Sequence, residues 1–243
     1  MEKNKTGKYL KYAIGEIVLV VIGILIALQI NNWNEERKRS NQENKIILSL
    51  TSDFIESKKR LQKTMRAQKR SVNQSIALIQ MYEKKSPMAP NDSIMRYIQF
   101  GAYSWYRAEM VSGAYDALIN AGDYELIKND KLTKLMAEYF SIAKSTFEDH
   151  ETSMNHLYNM QEIAATTLIP LADLNLKKDI IGLDSIRNPN ESEAIKFLFK
   201  QDAFFGHLYY KTILEDLRYV IQQDLLERIE EIISILNEEI TKD

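Results

Sequence analysis

Apolar positions in this chain form one unbroken block followed by three long periodic stretches, and that arrangement predicts an all-α protein. From Ala13 to Ile30 the chain reads AIGEIVLVVIGILIALQI, with Glu16 and Gln29 its only strongly polar residues. At 1.5 Å per residue this is about 27 Å of helix, enough to cross the hydrocarbon core of a bilayer. Tyr9 and Tyr12 on one side and Trp33 on the other stand where interfacial aromatics belong. The block ends in Gln29-Ile30-Asn31-Asn32-Trp33 with no small-x-small cleavage site, which argues against a cleaved signal peptide. Residues 31–85 contain no Gly or Pro and are mostly good helix formers, so the membrane helix is expected to run on. Within it Leu50, Leu61 and Val72 recur every eleven residues, as do Phe54, Met65 and Ile76. Eleven residues per three turns gives a nearly straight apolar stripe, which must be buried against partner helices.

Ser86-Pro87-Met88-Ala89-Pro90 breaks this helix, and Asn91 or Asp92 is expected to cap a short one through about Phe100. A helix over 110–121 follows, ended by Gly122 at C′. Asn129 or Asp130 caps a second long helix to about Leu168, whose apolar side is Leu132, Leu135, Met136, Tyr139, Phe140, Ile142, Ala143, Phe147, Met154, Leu157 and Ile163. Pro170 stops it, a loop runs over 171–190, and a short helix near 191–200 leads to a third long helix over 202–240. That helix carries the face Leu217, Ile221, Leu225, Ile232, Leu236 and Ile240.

The three long helices, 46–84, 130–168 and 202–240, have equal lengths of about 58 Å. The fold expected is therefore an all-α, up-down-up helical bundle outside the membrane, continuous with the N-terminal transmembrane helix, with the short helices and aromatic segment at its membrane-distal end. In that register Arg66 lies level with Glu148, Lys63 with Glu151, Lys59 with Glu215 and Arg70 with Leu226. The domain plan is a cytoplasmic tail over 1–12, a transmembrane helix over 13–32 and a periplasmic bundle over 33–243.

Charge changes this picture only in its orientation. The net charge is −2, but residues 1–12 carry +3, residues 31–85 carry +7 and residues 86–243 carry −11. Opposite charge on segments of one chain implies that the segments pack together, which disfavours a nucleic-acid partner. Arg37, Lys38, Arg39 and Lys45 nearly balance the lysines ahead of the membrane segment. A short tail with Lys3, Lys5, Lys8 and Lys11 is nevertheless costly to translocate, whereas a large downstream domain crosses largely regardless of its charge. The N-terminus is thus expected inside, with the anchor in the bacterial inner membrane.

Candidate chemistry is sparse. The chain has no Cys, which excludes disulfides, thiol catalysis and Cys-ligated metal. Its three histidines are His150, His156 and His207, and the positions three before them are Phe147, Ser153 and Phe204, so the Glu-x-x-His pattern of di-iron bundles is missing. Phosphate loops, nucleophile elbows and dinucleotide fingerprints are absent too. No cofactor or metal is expected, and no enzyme. The doublets Glu215-Asp216 and Glu230-Glu231 read as surface, since neighbours on a helix point different ways. The basic run Lys58, Lys59, Arg60, Lys63, Arg66, Lys69 and Arg70 reads as a helix face that pairs with acids of the other helices.

Two sets of residues remain as candidates. Glu16, Gly23 and Ala27 share a face of the membrane helix and would form an oligomer seam, because small residues let backbones approach; alternatively, Glu16 sits at the headgroups in the first turn. Tyr103, Trp105, Tyr106, Arg107, Tyr115 and Tyr124 would form a recognition surface, since Tyr, Trp and Arg dominate such surfaces; the other reading is core packing beneath the short helices.

The run Tyr12-Ala13-Ile14-Gly15-Glu16-Ile17, followed by Ala27-Leu28-Gln29-Ile30-Asn31-Asn32-Trp33-Asn34-Glu35, resembles the N-terminal signature of a family of uncharacterised single-pass bacterial membrane proteins. More loosely, Tyr115, Leu118, Gly122, Leu126, Ile127, Asn129 and Leu132, with Glu138-Tyr139-Phe140, are similar to that family's midpoint. The resemblance implies an anchor plus a helical domain and brings no activity or catalytic residues. The function expected is a membrane-anchored scaffold or interaction protein that meets the bilayer, copies of itself or another envelope protein. The alternative is a ligand-sensing ectodomain that signals through a partner subunit.

Overall fold

The computed structural model describes residues 5–86, 88–145, 149–167 and 191–241. Among them the chain is all-α, with no strand. Helix α1 runs unbroken over Lys5–Glu83, 79 residues, or roughly 120 Å. The lack of Gly and Pro beyond Gly23 explains its continuity, and the membrane-length apolar stretch and the domain's first helix are one rod, as expected. That stretch has a mean hydropathy of 2.6 and none of it is buried by the rest of the chain. At its far end Lys85 takes the left-handed conformation (φ 50°) while Ser86 N–H bonds Met81 O and Lys85 N–H bonds Tyr82 O. This C-terminal cap satisfies the last carbonyls before the proline-rich break.

Helix α2 (Asn91–Tyr97) begins after Pro90, without a side-chain cap from Asn91 or Asp92, and passes into a π-turn over Ile98–Ala102. An irregular stretch over 103–112 leads to α3 (Gly113–Ala121), a 3₁₀ turn (Asp123–Leu126), α4 (Asp130–Ser145) and α5 (Asp149–Thr167). Helix α6 (Glu191–Leu198) precedes α7 (Asp202–Ile240), whose 39 residues match the expected bounds. Gly122 ends α3 with φ 73°, as its position suggests, and Asn129 Oδ1 accepts Leu132 N–H at 3.1 Å as the cap of α4. Helix α3 starts later than 110 because its N-terminus is held by α1: Ala114 N–H donates to Asp53 Oδ2 at 2.7 Å, and Val111 N–H to Ser57 Oγ at 2.8 Å. The loop at 171–190, together with Pro170, Phe147 and Glu148, lies outside the described residues.

The directions of the long helices differ from the up-down-up order. Lys128 N–H bonds Glu43 and the Phe54 ring meets Tyr139 and Phe140, so α4 starts near the membrane end of the bundle and rises parallel to α1. Tyr82 stacks on Phe205 and donates to Asp202, Gln68 bonds Glu215, and Lys58 pairs with Glu230, so α7 descends antiparallel to α1. The reason is the connection. Residues 84–129 do not stay at the distal end but travel back down the bundle as a strap, so the order is up, strap down, up, down. The expected level pairs Lys59/Glu215 and Arg70/Leu226 therefore fail: Lys69 meets Asp216, and Lys58 meets Glu230. Glu151 forms no ion pair with Lys63.

Two apolar cores result. The membrane-proximal one gathers Leu50, Phe54, Leu61, Leu132, Met136, Tyr139, Leu225, Ile229 and Ile232, and the distal one Leu78, Ile94, Ile98, Leu157, Met160, Phe204 and Leu208. Five of the six stripe residues on α1 are buried; Ile76 is exposed.

Candidate functional site

Along α7, where Phe205, Thr212 and Ile235 are buried as well, one line of buried positions is Phe204, Leu208, Lys211, Glu215, Arg218, Gln222, Leu225, Ile229, Ile232 and Leu236. Their spacing alternates four and three without a slip, which is a heptad seam. Four consecutive seam positions are polar, and they lie between the two apolar cores. Glu215, expected at the surface, is only 3% exposed.

This polar layer is knit across three helices and the strap. Glu215 accepts from Gln68 Nε2 of α1 at 3.0 Å, from Ser153 Oγ of α5 at 2.6 Å and from Arg218 Nη2 at 2.9 Å. Gln68 Nε2 also reaches the Glu215 backbone carbonyl at 2.8 Å. One turn along α7, Lys211 Nζ donates to Gly101 O at 3.2 Å, and Ser71 Oγ donates to the same carbonyl at 3.1 Å. Gly101 is required there, since a Cβ would sit 2.9 Å from Ser75 N. Burial brings the Lys211 ammonium down to about 8, partly opposed by Glu215. The arrangement fixes which helix faces meet and at what height, because any slip would strand a buried charge.

Above the layer, His156 Nδ1 of α5 lies 2.9 Å from His207 Nδ1 of α7, and Tyr210 stacks on the His156 ring at 5.7 Å. Partial burial, and then the neighbouring His207, hold the His156 imidazolium below its ordinary range. Among the described residues no group of three His, Asp or Glu side chains is placed to hold a metal ion.

The aromatic candidates do not meet on one surface. Tyr103 and Trp105 pack partly buried on the distal core, with Tyr103 edge-on to Phe204, while Tyr115 stacks on Phe140 and Tyr124 donates to Thr133 O at the proximal core. Tyr106 is half-buried, with its carbonyl 3.5 Å from Arg218 Nη1, and Arg107 is exposed. Desolvation carries the Tyr103 hydroxyl well above the ordinary tyrosine range. Glu16, Gly23 and Ala27 are all exposed on α1, and a Cβ on Gly23 would meet no atom within 4 Å. The basic run is partly paired, Lys58 to Glu230 and Lys69 to Asp216, and partly satisfied within α1 through Glu56.

The sequence reading missed the outward face of α7. Tyr209, Tyr210, Ile213, Leu217 and Val220 are exposed, Leu217 to 57%, although Leu217 reads as core from its spacing to Ile221 and Leu225. Gly206 stands in line with them and Ile221 flanks them half-buried. Below Ile221 the same face turns charged, with Asp224, Glu227 and Glu231. A contiguous apolar patch bounded by charge is the ordinary mark of an interaction surface.

The fold and site define an all-α bundle built on one very long N-terminal helix with a membrane-length apolar stretch and an ionic layer between two cores. Residues 16–122 match the model of a family of unknown function (DUF6090), a match that takes in α1 from Glu16 and the strap as far as Gly122, the end of α3. No curated protein and no solved structure matches the chain.

Proposed function

We propose that this chain is a single-pass protein of the bacterial inner membrane whose periplasmic bundle is a non-enzymatic docking scaffold. The observation that carries the reading is the outward face of α7: five large apolar side chains exposed in a row, on a helix that lies alongside the rod that continues into the anchor. Burying such a face stabilises association by about 25 cal/mol per Å² before ordering costs. The ionic layer supports the reading, since it holds α7 in one register and so presents the face at one height above the bilayer.

The four lysines before the apolar stretch favour an N-terminus inside. A reporter fused after Asp243 should then be active only in its periplasmic form, and activity of a cytosolic reporter would reverse the topology. For docking itself, the full-length protein extracted in mild detergent should sediment well above its 28.3 kDa monomer. The double change Ile213→Glu and Leu217→Glu should return it to the monomer while its helical circular dichroism is kept. A wild-type chain that sediments as a monomer would remove the scaffold reading.

A further inference from the structure

We propose that the occupant of the α7 face is a second copy of this chain, joined in parallel and in register about a twofold axis along the membrane normal; this rests on the docking reading above.

Spacing carries the inference first. Tyr210, Ile213, Leu217 and Val220 are separated by three, four and three residues, the a/d spacing of a two-helix seam. This is a second seam on α7, opposite the one that faces the bundle. Register comes next. Two copies anchored in one bilayer with the same topology hold their α7 helices parallel and at equal height, so the symmetric partner of each seam residue is itself. Tyr209 and Leu214 then flank the seam and face each other across it, and the nearest charge, Asp216, already faces Lys69 of its own α1. The like-charge clash that usually opposes self-pairing is thus missing over 209–221, and it sets in below, where Asp224, Glu227 and Glu231 follow.

Area is consistent with a dimer. Covering the exposed parts of Tyr209, Tyr210, Ile213, Leu217 and Val220 removes on the order of 500 Å² per copy, about 1,000 Å² in all, the lower bound for a specific interface. In the membrane, confinement to two dimensions adds to this by raising the effective concentration. The geometry also separates the anchors. Packed helices lie about 8–10 Å apart, so the two α1 rods behind a paired α7 stand roughly 20 Å or more apart. Gly23 of one copy cannot touch Gly23 of the other within this pair, and the α7 pairing is independent of any Glu16/Gly23/Ala27 seam.

The chain lacks cysteine, so single cysteines report cleanly. In membranes holding the full-length protein, Leu217→Cys should oxidise to a disulfide dimer of twice 28.3 kDa, at least tenfold more than Lys63→Cys, which is exposed on α1 a little more than one turn lower. Adding Ile213→Glu should abolish the Leu217→Cys dimer, and adding Gly23→Ile should leave it unchanged. Equal cross-linking at 217 and 63 overturns the self-pairing. If the wild-type protein then sediments as a complex whose mass is not a multiple of the monomer, a foreign subunit occupies the face and the docking reading survives. If it sediments as a monomer, both readings fall.

Discussion

Replacing Glu215 with alanine will cost the full-length protein roughly 3–5 kcal/mol, the range found when one partner of a buried ion pair is removed. Glu215 is the acceptor for Arg218, Gln68 and Ser153 at once, and the side chains of Glu215 and Arg218 are 4% and 6% exposed. Without the carboxylate, Arg218 keeps its charge in a nearly dry layer that also contains Lys211, Ser153 loses its acceptor, and Gln68 keeps only the backbone carbonyl. The loss should appear as a fall of about 10 °C in the thermal midpoint, followed by circular dichroism in detergent. The companion change Glu215→Leu with Arg218→Met should recover most of it, since an apolar replacement of a buried pair is often neutral or stabilising. A midpoint within about 2 °C of wild type for Glu215→Ala would mean that the layer is open to water.

Truncating Phe54 to alanine should be comparably damaging, about 3–5 kcal/mol. Its ring is buried to 2% exposure, edge-on to Tyr139 at 5.3 Å and tilted against Phe140 at 5.8 Å, and Phe140 in turn stacks on Tyr115 of the strap. The cavity would open where α1, α4 and α3 meet, so the effect should be local before it is global. Amide exchange should lose protection in α4 ahead of α7, whose contacts with α1 also run through the ionic layer and the distal core. Loss of protection in α7 first, or a cost under about 1 kcal/mol, would show that the proximal aromatic cluster is not what joins α4 to α1.

Element ends were the most legible part of this molecule, because the residues that make them act locally. Gly122 adopts the left-handed conformation its position after α3 demands, Asn129 caps α4 with its own side chain, and α7 spans 202–240 as its flanking residues indicate. The start of α3 was not legible, since its cap is Asp53, sixty-one residues away in sequence. Helix directions were hidden for a related reason. Equal lengths are compatible with either sense of each helix, and the choice rests on whether residues 84–129 stay at one end or return along the bundle.

Glu215 and Leu217 show the same limit from opposite sides. Hydropathy sends a charged residue to water and an aliphatic one to the core, yet here Glu215 is inside and Leu217 outside. Seam spacing alone placed Lys211, Glu215, Arg218 and Gln222 in line with Leu208 and Leu225, and this was the available signal. It could be trusted only once Gln68 and Ser153 were seen to supply the hydrogen bonds that make burial tolerable. By itself the sequence determined the all-α class, the membrane-length apolar helix and its unbroken continuation, because propensity, breakers and apolar run length are properties of neighbouring residues. The tertiary structure decided the order of directions, the buried ionic layer and the outward apolar face of α7, because each depends on which distant residues stand opposite one another.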